Sequence, residues 1–271
     1  MRDRLYDRSS YQLSELTHHY GSNVHLLSNP FLLTQLAALC AKETVQPAIN
    51  DLVGQIYGDL IRTVINVEMP RHHVTVPTRM IDVNPAGVFQ GEVVDRAVRV
   101  VVVDIARAGT LPSQVCYDLL NRLLDPRLVR QDHVVMARKT DDTHKVVGTE
   151  ILGNKVGGDV DDAMLLLPDP MGATGSSISE ALDFYRRTVG GKARRVIALH
   201  LIVTPEYLRK MRDQHPDLVV YAVRLDRGLS PPEIFNTLPG THWDQERGLD
   251  DRQYIVPGGG GFGEIMNNVY V

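Results

Sequence analysis

Residues 169 to 177 read Asp-Pro-Met-Gly-Ala-Thr-Gly-Ser-Ser, directly after the apolar run Ala-Met-Leu-Leu-Leu-Pro at 163–168. The order is that of a buried strand, a turn of small residues and an amphipathic helix. Such a turn leaves backbone N–H groups bare at a helix N-terminus, where small side chains let an anion approach and the helix dipole favours it. Ser and Thr hydroxyls add donors, and a phosphate fits. Asp169, at the strand tip, is a poor partner for phosphate but a good acceptor for sugar hydroxyls. A sugar phosphate held at both ends is the chemistry this stretch suggests, against the plainer role of capping a helix. No Gly-Lys-Ser/Thr follows, so the turn is not the phosphate loop of a nucleoside triphosphatase.

The elements needed to position that turn are legible on either side. β-Branched or apolar runs at 97–105, 133–139, 163–169, 194–203 and 217–225 predict strands. Helical spacing at 111–124, 177–190 and 205–214 alternates with them, and continuous apolar strands predict a parallel sheet covered on both faces. Before it, 29–44 and 46–69 predict helices, with Asn29 as a cap and Pro30 in the first turn. Residues 72–76 alternate as an extended edge. Ligands of such sheets sit at the carboxyl ends of the strands, where the second chemical segment, Ile-Ala-Arg-Ala-Gly-Thr at 105–110, also falls.

A chain of 271 residues with 43% hydrophobic and 23% charged residues has room for a large globular core. The net charge of −4 offers no broad footprint for nucleic acid or anionic lipid, and Gly-Gly-Lys-Ala-Arg-Arg at 190–195 reads as a solvated connection. With no long apolar run and no leader-like N-terminus, the expectation is a cytoplasmic protein, without membrane or nucleic-acid partners, whose Cys40 and Cys116 stay reduced. The pairs His18-His19 and His72-His73 are adjacent rather than helically spaced, so no metal site is assigned to them. Gly258–Gly263 matches a dinucleotide fingerprint, but too little chain follows to build the unit.

Asp-Pro-Met-Gly-Ala-Thr-Gly-Ser-Ser resembles the phosphoribosyl-pyrophosphate motif of uracil phosphoribosyltransferases, Asp-Pro-Met-x-Ala-Thr-Gly-x-Ser. Tyr-Ile-Val-Pro-Gly-Gly-Gly-Gly-Phe-Gly-Glu at 254–264 resembles their uracil loop. Ile-Ala-Arg-Ala-Gly at 105–109, Met-Ala-Arg at 136–138 and Thr-Pro-Glu-Tyr … His-Pro-Asp at 204–217 resemble further family segments in the same order. The resemblance implies an α/β, type I phosphoribosyltransferase-like parallel sheet flanked by helices, with a small hood from the terminal segments. It implies one such domain over 25–271 after a polar extension at 1–24; residues 230–246 depart from the family pattern as an insertion before the base loop, suited to a lid or an oligomer contact. The implied activity is transfer of ribose 5-phosphate from phosphoribosyl pyrophosphate to uracil, giving UMP and pyrophosphate. Arg107, Arg138 and Asp169 would be catalytic. Arg107, Arg138, Asp169, Pro170, Met171, Gly172, Ala173, Thr174, Gly175, Ser176 and Ser177 would bind phosphoribosyl pyrophosphate, and Tyr254, Ile255, Gly260, Gly261 and Phe262 the base. Mg²⁺ would be held mainly through pyrophosphate, with GTP a candidate effector and a homodimer or larger assembly expected.

The chain departs from the family pattern most in the base loop. Gly261 stands where the family has Asp, Phe262 where it has Ala, and Glu264 where it has a second Asp. In the phosphate turn, Gly172 replaces Leu and Ser176 replaces Gly, which would crowd a phosphate if that backbone needed positive φ. Transfer to a different acceptor, and a nucleotide-sensing protein without turnover, therefore stay open beside uracil transfer.

Overall fold

The computed structural model describes residues 5–6, 10–140 and 146–269, by backbone alone at 138–140 and 146–147. In chain order the elements are β1 (Val24–Leu26), α1 (Pro30–Leu39), α2 (Ala48–Glu68), β2 (Arg71–Pro77), β3 (Val88–Val94), β4 (Val100–Ala106), α3 (Thr110–Leu123), β5 (Val129–Thr140), β6 (Val146–Lys155), β7 (Met164–Pro168), β8 (Met171–Gly172), α4 (Ser176–Phe184), β9 (Arg195–Val203), α5 (Pro205–Gln214), β10 (Leu218–Leu225) and α6 (Phe262–Ile265). The main sheet runs β1-β10-β9-β7-β4-β5-β6, with β8 beside β9. Every pairing in it is parallel except β5–β6. β2 and β3 form a separate antiparallel hairpin.

The apolar strands are continuous because both faces are covered. Val100 and Val102 of β4 face a core built with α1, α2 and α3. Val101, Val103 and Ile105 face the opposite core, which α4 and α5 close. β4 and β7 are hydrogen-bonded neighbours, yet α3 after β4 and α4 after β7 pack on opposite faces. The sheet therefore has its topological switch between these two strands, and a crevice opens at their carboxyl ends.

Asn29 caps α1 as expected, its side chain accepting from the Leu32 N–H at 3.2 Å. Four strands escaped the sequence reading, among them the two-residue β8, which lies in the stretch read as a turn. β1 is three residues long, β3 is paired only within the outlying hairpin, and β6 is an edge strand carrying Gly148 and Gly153. Because β6 runs antiparallel, the expected parallel sheet is mixed and mostly parallel. Gly190–Arg194 is the connection into β9, with Arg194 paired to Asp162 at 2.7 Å. Cys40 and Cys116 are both free thiols. Among the described residues no helix is long and apolar enough to cross a membrane.

The terminal segments meet near the C-terminal loop. Gln46 donates to the Met266 carbonyl at 2.9 Å. Residues of the expected N-terminal extension also bind the insertion: the buried Tyr20 hydroxyl donates to Glu246, which accepts from Arg227 at 2.8 Å and from the Gly240 N–H at 2.9 Å. Trp243 meets Tyr20 edge-on and donates to the Pro205 carbonyl at 2.9 Å. No described residue of 230–246 lines the crevice; the segment is bound against α5 and Tyr20.

Removing one partner of a buried ion pair strands the other, so Glu246→Ala should lose about 3 kcal/mol of stability in urea unfolding. Glu246→Gln, which keeps an acceptor for Tyr20, should lose less.

Candidate active site

The crevice holds a cleft of about 530 Å³. Its walls come from the β4–α3 turn (Arg107, Ala108), the β7–α4 turn (Met171, Ala173–Ser177), Asp169, and the C-terminal loop (Gln253–Ile255, Gly260–Glu264). Three segments far apart in sequence thus converge at the strand ends. Pro170 and Gly172 of the predicted set do not reach it. Gly172 is buried against Val203 and Tyr207, and its carbonyl accepts from the Thr204 N–H at 3.0 Å.

The β7–α4 turn is shaped by Gly175, the residue before α4, at φ +76°. A Cβ there would lie 2.7 Å from the Met211 methyl, so bulk and backbone both demand glycine. Ser176, by contrast, begins the helix, and the feared positive φ falls on its neighbour. Thr174 Oγ1 accepts from the Ser176 N–H at 3.3 Å, and Thr204 Oγ1 donates to the Ala173 carbonyl at 2.7 Å. Lys210 of α5, which the sequence reading passed over, donates to Ser176 Oγ at 3.1 Å.

Asp169 is buried at the end of β7, and the Met171 N–H at 3.4 Å is its carboxylate's one hydrogen-bond donor among the described residues. Burial raises its pKa to about 6. Beneath it, His200 Nδ1 meets the Asp169 carbonyl at 2.5 Å and Nε2 meets the Tyr207 hydroxyl at 2.7 Å. A carbonyl only accepts, so Nδ1 carries the proton and Tyr207 donates to Nε2. Burial holds His200 down at about 4, keeping it neutral.

Arg107 extends half-exposed from the β4–α3 turn, with Nη2 3.7 Å from Glu264 Oε1. That turn is tight: a Cβ on Gly109 would lie 2.8 Å from the Ile105 oxygen and 3.0 Å from that of Pro168. Arg138 is on β5 opposite Thr149, and its side chain lies outside the described residues. Ala137 and Thr149 beside it line the cleft.

The C-terminal loop is clamped from below. Arg224 and Asp226 pair at 2.6 and 2.7 Å; Asp226 accepts from the Gly258 N–H at 2.7 Å, and Arg224 donates to the Gly258 carbonyl at 2.9 Å. Gly260, Gly261 and Phe262 line the cleft, and the Gly260 and Gly261 N–H groups have no partner among the described residues. The Phe262 ring itself is buried in the core beside α1 and α2. Gly261 leaves no gap either. A Cβ there would lie 2.3 Å from Glu264 Oε2, so the Glu264 carboxylate occupies that space. Where the Glu264 carboxylate goes is set by the fold of α6.

The family described as uracil phosphoribosyltransferase matches residues 26–244, ending before the loop at 254–264. Uracil phosphoribosyltransferases of Burkholderia thailandensis and Burkholderia mallei are each 28% identical over 244 residues, covering 90% of this chain and 94% of theirs. A solved structure from Aquifex aeolicus shares the fold at a TM-score of 0.68 and 18% identity, across 92% of this chain and 99% of that one.

Two outcomes follow from this geometry. The folded state holds the Asp169 proton up to about pH 6, whereas an unfolded carboxyl releases it near 3.8. Asp169 therefore costs stability as pH rises through that window, reaching about 3 kcal/mol above it. Asp169→Asn should raise the melting temperature at pH 8 and change it little at pH 3.5. Gly261→Asp should bring two carboxylates together and lower stability in thermal melts, and adding Glu264→Ala should restore it.

Proposed function

The chain belongs to the uracil phosphoribosyltransferase family, and on that premise we propose that it transfers ribose 5-phosphate from phosphoribosyl pyrophosphate to uracil, releasing UMP and pyrophosphate. The observation that carries this reading is the convergence of an anion-binding turn, an arginine turn and a backbone-lined loop on one cleft, with a buried carboxylate between them. The 5′-phosphate would lie on Ala173–Ser177. Asp169 would accept from the ribose hydroxyls once ionised, and Arg107 and Arg138 would face the pyrophosphate.

Breaking the C1′–oxygen bond leaves positive charge on the sugar and negative charge on the leaving pyrophosphate. Arginines stabilise the departing oxygens, and a clamped sugar holds C1′ facing the base, so positioning and electrostatics lower the barrier without a side-chain nucleophile. Uracil N1 then bonds to C1′ and its proton leaves. The free Gly260 and Gly261 N–H groups suit the carbonyl oxygens of a pyrimidine. Mg²⁺ prefers phosphate oxygens and water with one or two carboxylates. Among the described residues, Asp169 and Glu264 are the carboxylates lining the cleft, so an ion carried on the diphosphate fits and would stabilise the leaving charge.

A second reading, transfer to another base, is favoured by one observation. The family match ends at residue 244, before the loop at 254–264, and that loop is where Gly261 and Phe262 depart from the resembled Asp and Ala.

Pyrophosphate release from phosphoribosyl pyrophosphate and Mg²⁺ should depend on uracil, with UMP as the product. Release with a different base alone would reassign the acceptor, and none with any base would sink transfer. Asp169→Asn should lower kcat by on the order of 100-fold while the protein stays folded.

A further inference from the structure

Helix α5 turns Tyr207, Lys210 and Met211 toward the phosphate turn, the i, i+3 and i+4 positions of one face. Tyr207 and Met211 pack on Gly175, whose Cβ direction points within 3.1 Å of the Tyr207 ring and 2.7 Å of the Met211 methyl. Lys210 lies alongside, its Cδ 3.5 Å from the same point, and carries its ammonium to Ser176. Packing there needs only the methylene stem of a lysine. The ammonium is a different matter. Among the described residues it makes one hydrogen bond, to Ser176 Oγ at 3.1 Å, and no ion pair. A half-buried cation without a carboxylate is disfavoured, and burial lowers its pKa accordingly.

Ser176 explains the arrangement. Its oxygen accepts from Lys210 and also from Thr174 Oγ1 at 3.2 Å, which fills both lone pairs. Its own proton is then left to donate, and Ser176 lines the cleft. The hydroxyl is thus polarised by a cation behind it and has no acceptor among the described residues. Two of the three Lys210 protons likewise have no partner among the described residues.

Resting on the reading that the cleft takes a sugar phosphate, we propose that Lys210 is a phosphate-binding residue of this chain. With Ser176 it adds a full positive charge and a polarised donor to the turn at 173–177, and so holds the terminal phosphate of the sugar-phosphate substrate. A turn of backbone N–H groups alone supplies only partial charges, so this device raises affinity for the phosphorylated end rather than for the base.

Titration calorimetry with ribose 5-phosphate tests it directly, since that ligand needs no transfer step. Lys210→Met should bind ribose 5-phosphate about tenfold more weakly than wild type and raise the KM for phosphoribosyl pyrophosphate similarly, with the KM for the base unchanged. Lys210→Arg should recover most of the loss. Ser176→Ala, which deletes the relay but leaves the lysine, should weaken binding by about threefold or more. Lys210→Met binding as tightly as wild type would overturn the inference and leave the functional reading standing. Wild-type protein that binds neither ribose 5-phosphate nor phosphoribosyl pyrophosphate would overturn both.

Discussion

Two neighbouring strands that send their helices to opposite faces cannot both be covered at their carboxyl ends, and this constraint underlies the site. β4 and β7 are that pair. α3 and α4 leave in different directions, so the crevice between the two turns must be filled from elsewhere. The C-terminal loop fills it, bound to the end of β10 through the Arg224–Asp226 pair. The turn after β4, the turn after β7 and the loop over them then face a common cleft. Every candidate function of the chain follows from that convergence.

Within the crevice the fold buries a carboxylate whose ionisation is disfavoured by that burial. Asp169 has its carboxylate buried with one long hydrogen bond among the described residues, while His200 and Tyr207 beneath it are satisfied by one another and by backbone. A buried, poorly partnered carboxylate is disfavoured by burial, and one at the mouth of a cleft marks a place where a ligand supplies the missing donors.

The chain's departures from the family pattern look like losses in a linear reading and are answered in space. Gly172 stands where the resembled motif has Leu, and the Tyr207 ring lies against it. Gly261 lacks a side chain, and the Glu264 carboxylate occupies its volume. Ser176 adds bulk to the phosphate turn, yet the positive φ stays with Gly175 and the added hydroxyl meets Lys210. In each case a residue distant in sequence, or one helical turn away, absorbs the change. Close packing enforces this, because neither a void nor an overlap beside a tight turn is tolerated without a shift of backbone.

Local pattern was enough for much of the architecture. Apolar runs bounded by turn residues marked β4, β7, β9 and β10, and 3.6-residue spacing marked α3, α4 and α5, because those signals are carried by neighbours along the chain. Asp169, Thr174 and Arg107 were legible for the same reason: each lies in a contiguous turn whose composition has its own chemistry. Edge strands β1 and β6 were not, since an edge strand carries a weaker burial pattern and takes its identity from the strand it pairs with. Nor were Lys210, the carboxylate position of Glu264, or the burial of the Phe262 ring. Those depend on which face of one element meets which turn of another, a distance through space that no local pattern encodes. Sequence alone thus determined the strand–turn–helix units and their intrinsic chemistry. The tertiary structure decided which units share a cleft and which side chains from remote helices complete them, because only packing sets those distances.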